Sequence, residues 1–368
     1  MGLLRFYLAL AVCLNHLAGA LGGSEKLLLI PSSALAVEIF FAISGFYMAM
    51  ILGVKYQGPQ GLRMFYSNRL LRIFPLYLAI IASFAAVSLM VFLVKGHWVF
   101  MSEAIELFRN SGPGMQLFVL WSNLTMIGQN IMFISQYTPS TEAFCLGCAA
   151  VPGSVAPWQM LIIPQAWSVE VELMFYALAP WFIRFRTGVL AAMVVILTGL
   201  KVIVTPHLAG TDYWSLRFPG FELPLFLAGI LAYRYYRRME NVSIKNSASA
   251  TATIAMFMYL CFINMFESDV LQYITSSIVV IACLPFMFKA FRKSQFDRGI
   301  GELSYPMYLV HYLILQMVIY WYKGPQKLLF AVSMAVVASF VLYRVVCRPI
   351  ETYRQLRVRI ALTGTSDA

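Results

Sequence analysis

Residues 5–21 read RFYLALAVCLNHLAGAL, an apolar run that carries Arg5 at its start and His16 within it. Eleven residues separate the two, and at about 100° per residue that is roughly three full turns, so both side chains share one helix face. At 1.5 Å per residue, His16 lies about 16 Å further along the axis. In a membrane-spanning helix that depth is near the midplane, where an ionisable group is a functional candidate. One Arg, a hydrophobic run and Ala18-Gly19-Ala20 also mimic a secretory leader, whose cleavage would discard His16. A start-anchor helix of a polytopic chain looks the same, and the stretch is read as retained.

The rest of the chain repeats this pattern. Of 368 residues, 61% are hydrophobic and only 12% charged, a balance that fits a protein whose exterior faces lipid. The expected fold is all-α, a polytopic integral membrane helix bundle forming one domain over 1–348 with a basic tail over 349–368. Ten segments of spanning length fall at about 3–21, 35–54, 71–94, 162–184, 188–206, 219–236, 248–266, 270–289, 305–322 and 327–347. An eleventh run, 115–134, contains Asn123, Gln129 and Asn130 and reads as interfacial or re-entrant.

The net charge of +11 would suit a nucleic-acid binder, but the order of the loops explains it otherwise. Most of the 27 lysines and arginines, among them Lys55, Arg63, Arg184, Arg186, Arg237, Lys245, Lys289, Arg292 and Arg348, fall on one side of the drawn spans. That asymmetry makes both termini cytoplasmic and leaves no basic surface for nucleic acid to explain. The longest outer segment, about 95–161, is rich in Pro and Gly and reads as a folded-over loop with short helices. Its Cys145 and Cys148 form a lone CxxC, for which a disulfide or two free thiols fits better than zinc. No internal repeat of the transporter kind stands out. The tail is expected to lie on the inner membrane surface, against lipid headgroups.

Several polar groups fall where a bilayer penalises them. Glu38 lies in the second span, and a buried carboxylate costs several kcal/mol unless it is paired, protonated or wetted. Ser44-Gly45 lacks the first Gly of a nucleophile elbow and fits helix packing through small residues better. Arg69 and Arg72, at i and i+3, share one face at the start of the third span, with Pro75 close behind. Two guanidinium groups so placed can hold phosphates bidentately, although positive-inside charges alone also account for them. In the fourth span Glu170 and Glu172 differ by about 200° around a helix, while Ser168, Glu172 and Tyr176 can form one polar face. In the ninth, Ser304, Tyr308 and His311 fall on one stripe, with Tyr305 beside it. His97 and His207 sit at outer helix ends, where solvation explains them. With no HExxH or paired His/Cys motif, no catalytic metal is expected.

Taken together, these stretches resemble the acyltransferase-3 family of membrane O-acyltransferases. The resemblance is carried by Arg5 to His16, by Phe40-Phe41-Ala42-Ile43-Ser44-Gly45-Phe46, by Arg69-Leu70-Leu71-Arg72-Ile73-Phe74-Pro75, by Trp167-Ser168-Val169-Glu170-Val171-Glu172, and by Ser304-Tyr305 to His311. Pro349-Ile350-Glu351 departs from the family's acidic-x-Pro ending, which touches the tail. Longer members append an extracytoplasmic esterase-like domain, which this chain is expected to lack. The resemblance implies transfer of an acyl group, usually acetyl, from cytoplasmic acyl-CoA to a hydroxyl of a cell-surface glycan or its lipid-linked precursor, in a bacterial cytoplasmic membrane. In that setting Arg5, Arg69 and Arg72 would serve the CoA, and His16 would be general base or transient acyl carrier. Glu38 or Glu172 would orient His16, and Ser44, Trp167, Ser168, Glu170, Tyr305, Tyr308 and His311 would support substrate or site. A proton-coupled transporter or flippase is the rival reading, since it too would bury His and Glu. A purely structural scaffold would leave those groups without purpose.

Overall fold

The computed structural model describes residues 1–22, 27, 29–56, 60–98, 100–208, 211–241, 246–265 and 269–363. Lys245 and the last residues of the tail lie outside them. Within these limits the chain is a polytopic membrane protein of the all-α class, with one short β-hairpin. Eight helices are long and apolar enough to cross a membrane, at Gly2–Ala20, Ser33–Val54, Gly61–Lys95, Thr187–His207, Ser247–Met265, Val270–Phe291, Gln295–Trp321 and Lys327–Ile360. The two expected spans missing from that set are helical but shorter or more charged. Trp167–Phe182 has 16 residues, and Pro219–Met239 carries Glu222, Arg237 and Arg238 in its terminal turns.

The chain divides into two compact units. The first comprises Met1–Ala79, Tyr176–Leu190 and Leu225–Ala368. It holds α1 (Gly2–Ala20), α2 (Ser33–Val54) and the first half of α3 (Gly61–Lys95). Ser32 caps α2 by accepting the Leu35 N–H at 3.2 Å. Here α3 begins ten residues before the span drawn from hydropathy, at Gly61, because its opening turns GLRMFYSNR are amphipathic rather than apolar.

The other unit comprises Ile80–Phe175 and Ala191–Pro224. Its loop region folds into α4 (Ser102–Arg109), α5 (Pro113–Thr125), α6 (Gln129–Phe133) and an antiparallel hairpin, β1 (Ser135–Thr138) with β2 (Ala143–Leu146). The eleventh apolar run is thus broken between α5 and α6, where Met126 and Gly128 adopt positive φ of 63° and 95°. Cys145 and Cys148 are joined by a disulfide just past the hairpin turn. This unit also holds most of α7 (Trp167–Phe182) and α8 (Thr187–Val204), α9 (Thr211–Arg217) and the first turns of α10 (Pro219–Met239). Lys201 and Glu222, charges the hydropathy pattern hides, form a buried ion pair at 2.8 Å.

The first unit continues through α11 (Asn246–Phe262), α12 (Asp269–Phe291), α13 (Gln295–Gly301), α14 (Ser304–Trp321), α15 (Lys327–Leu342) and α16 (Arg348–Thr363). A π-helical turn, Tyr343–Cys347, joins the last two. Residues 348–363 are therefore helical. Arg357 on α16 donates to Ser67 Oγ at 3.1 Å and Asn68 Oδ1 at 3.3 Å, fastening it to the opening turns of α3.

Two close approaches set the frame of this unit. A Cβ on Gly45 would overlap the Phe226 carbonyl, and one on Gly229 would overlap the Ala42 carbonyl, so α2 and α10 meet backbone to backbone. Small-residue packing is the role of Gly45. At the base of α1, the Asp297 carboxylate accepts the N–H groups of Gly2 and Leu3 at 2.7 and 2.9 Å, while Gly301 lies against Gly2. The start of α1 and the approach to α14 are thereby pinned together, and the two helices run side by side in the same direction.

Candidate active site

Because α1 and α14 start together and run parallel, residues at similar heights on them meet. His16 and His311, 295 positions apart in sequence, do so: His16 Nδ1 lies 3.0 Å from His311 Nε2. His16 is exposed, whereas His311 is 0% exposed. The Tyr308 ring stands edge-on to His311 at 6.1 Å between centroids. Asn15, beside His16, donates to the Ala11 and Pro31 carbonyls at 2.8 and 2.9 Å, tying this level of α1 to the approach to α2.

The hydrogen-bond chemistry of this pair assigns its tautomers. His311 Nδ1 lies 3.3 Å from the Met307 carbonyl oxygen, which can only accept, so Nδ1 carries the proton. In a neutral His311 the other nitrogen, Nε2, is then the acceptor, and His16 Nδ1 must be the donor. His16 is left with Nε2 as its basic nitrogen. The fully buried His311 imidazole fixes the tautomer and ring orientation of His16 without adding a negative charge.

At the start of the same two helices is a small open cavity lined in part by Arg5, Arg72, Glu302, Tyr305, Glu351 and Arg354. Tyr305 donates to the Ile73 carbonyl at 3.1 Å, two residues before Pro75, so the α14 and α3 walls are held together. Arg5 is about 16 Å below His16 on α1 and Tyr305 about 9 Å below His311 on α14, at 1.5 Å per residue. The cavity and the histidine pair are two levels of one inter-helix seam.

The sequence expectations separate here. Arg5, Arg72 and Tyr305 come together in the cavity. Arg69 does not line it. It is 6% exposed, its Nε has no hydrogen-bond partner among the described residues, and its guanidinium lies over Phe65 and Tyr176 at 5.7 and 5.6 Å from the ring centroids. Ser304 donates to the Gly301 carbonyl at 2.7 Å, a helix-start bond rather than a site contact. Glu38 is buried on α2, within electrostatic range of Tyr259, and Ser44 is half-buried one residue before the packed Gly45.

Trp167, Ser168, Glu170 and Glu172 belong to the other unit. Glu170 is buried, and its carboxylate accepts from Gly128 N at 2.6 Å and from Asn130 N and Nδ2, each at 2.7 Å. It fastens the break between α5 and α6 and sits at the start of α6. Glu170→Ala leaves the buried Gly128 and Asn130 backbone N–H groups without this acceptor, while Asn130 Nδ2 keeps the Trp167 carbonyl at 3.0 Å, and the expected cost is about 2 kcal/mol or more. Thermal unfolding in detergent checks this; an unchanged midpoint would remove the clamp. Glu172 is half-buried, Ser168 Oγ donates to the Gln165 carbonyl at 3.3 Å, and Trp167 lies under the Arg217 guanidinium at 5.0 Å.

Sequence reasoning missed the His16–His311 partnership, Glu302 and Arg354. A weak signal existed for the first, since both histidines fall in apolar runs. Among the described residues no three His, Cys, Asp or Glu side chains are grouped as for a metal ion.

An imidazole with a fixed tautomer above a guanidinium-lined cavity suits group transfer from an anionic carrier. The chain belongs to the acyltransferase-3 family, whose acyltransferase domain model matches residues 1–344. Its relatives include O-acetyltransferase OatA of Staphylococcus aureus strains NCTC 8325 / PS 47, COL and MRSA252, each 24% identical over 344 residues. The match covers 86% of this chain and 52% of the relative, so the chain spans about half the length of the curated relatives it matches. No solved structure matches it significantly.

Proposed function

We propose that the protein transfers an acyl group, acetyl foremost, from cytoplasmic acyl-CoA to a hydroxyl of a cell-surface glycan or its lipid-linked precursor, in a bacterial cytoplasmic membrane with both termini inside. The observation that carries this reading is the His16–His311 hydrogen bond on the two helices whose starts frame the arginine cavity. The name of the relatives, O-acetyltransferase, supports an oxygen acceptor and an acetyl group.

Arg5 and Arg72 hold donor phosphates at the cavity, and the pantetheine arm runs up the seam towards His16. His16 Nε2 takes the proton of the acceptor hydroxyl as its oxygen attacks the thioester carbonyl. The imidazolium so formed keeps its Nδ1–H on His311 Nε2, which stabilises it. As the C–S bond breaks, the CoA thiolate leaves and recovers a proton from His16. Glu38 is a candidate for a supporting role around this centre.

The test supplies membranes containing the protein with acetyl-CoA labelled in the acetyl group. Label is expected in surface glycan or its lipid-linked precursor, with release of free CoA. Unlabelled glycan with no CoA released would favour a carrier that moves a glycan or small molecule without chemistry.

A further inference from the structure

We propose that Arg354, on the C-terminal helix, is a further anion-binding residue of the cavity and contacts a phosphate of the donor, with Glu351 as the counter-ion that the phosphate replaces. This rests on the reading of the cavity as the donor site.

Geometry supplies the first argument. Val346 and Cys347 of the π-helical turn and Ile350, Glu351 and Arg354 of α16 all line the cavity, forming one continuous wall. Arg357 fastens that wall to Ser67 and Asn68 on α3, so Arg354 is held at the cavity rather than out on a surface.

The side chain's own hydrogen bonding supplies the second. Arg354 is 7% exposed, yet its only hydrogen-bond partner among the described residues is Glu351, one turn earlier on the same helix, and its Nε has none. A guanidinium offers five N–H donors in a fixed fork, more than one carboxylate can satisfy from that direction. Arg69 and Arg72 lie within electrostatic range of Arg354 and repel it. Like charges gathered at one cavity, with an unsatisfied fork among them, suit an oxyanion with several acceptors, such as a diphosphate or phosphate monoester. Glu351 holds the fork in the absence of that anion. It is the more exposed partner, with its side chain 39% accessible against 8% for Arg354, so it can withdraw to solvent.

The experiment measures binding of CoA and of inorganic pyrophosphate to the full chain in detergent micelles, for Arg354→Gln, Arg354→Lys and Glu351→Gln. Arg354→Gln is expected to weaken both ligands by about 10- to 100-fold, the scale of a lost charge-assisted hydrogen bond. Arg354→Lys keeps the charge without the fork and should fall between. Glu351→Gln should bind at least as tightly as the parent, because it removes a competitor. A purely structural ion pair makes the opposite forecast: Glu351→Gln and Arg354→Gln lose stability alike, and the folded protein of each binds CoA as the parent does. That result would overturn the proposal, as would equal losses of affinity in both variants. If Arg354→Gln does not fold, Arg354→Lys and Glu351→Gln still decide between the two. Pyrophosphate binding that depends on Arg354, without CoA binding to the parent, would uphold the anion role and discard acyl-CoA as donor. CoA binding untouched by either Arg354 variant would do the reverse.

Discussion

His16→Ala is expected to lower acyl transfer by about 10²–10⁴-fold, the usual contribution of a positioned general base, with protein level and CoA affinity unchanged. His16 is exposed at its end of the pair, so its loss opens no sealed core and the variant should fold. The measurement is turnover of labelled acetyl-CoA in membranes with matched protein. Activity within a few-fold of the parent would remove His16 from the chemistry. His311 acts through His16, so its substitutions should separate position from packing. His311→Leu removes the acceptor that fixes the His16 tautomer and should lower kcat while leaving KM near the parent value. His311→Gln can present an amide oxygen to the same Nδ1–H and should recover part of the loss. Equal activity in the two variants would reduce His311 to a packing residue.

The second large effect is expected at the cavity. Arg5→Ala with Arg72→Ala should weaken acyl-CoA binding by about 100-fold or more, since each charge-assisted contact is worth roughly 1.5–3 kcal/mol. Salt should weaken the parent more than the double variant, because the variant has fewer ionic contacts left to screen. Arg69→Ala should behave differently. Its guanidinium packs on Phe65 and Tyr176 away from the lining, so the expected result is lower stability with a smaller change in salt dependence. An Arg69 variant as salt-insensitive as the double variant would place Arg69 among the direct contacts.

Hydropathy made the membrane helices legible, because a lipid-facing surface demands apolar side chains all along a span. It failed where helices face protein or water. The opening turns of α3 mix Arg63, Asn68 and Arg69 with aromatics, and the pattern starts only where lipid begins. Residues 348–363 look like a basic tail because their partners, Ser67, Asn68 and the cavity, lie almost 300 positions earlier. Helical periodicity placed Arg5 with His16, and Ser304 with Tyr308 and His311, since both are local relations. It could not join the two stripes, as pairing α1 with α14 depends on Asp297 capping α1 and on Gly2 meeting Gly301. The acids illustrate the same limit. Glu170 and Glu172 look alike in the sequence, and only the long-range donors at Gly128 and Asn130 make Glu170 a clamp.

The close approach of α2 and α10, at Gly45 against Phe226 and at Gly229 against Ala42, bears on motion. Where two helices touch through backbone alone, a slide of even one residue drives a side chain into a carbonyl, so α2 and α10 are locked in register like meshed teeth. Glu38 rides on that locked pair. Motion that admits the proposed acceptor to His16 is therefore expected from helices other than the α2–α10 pair.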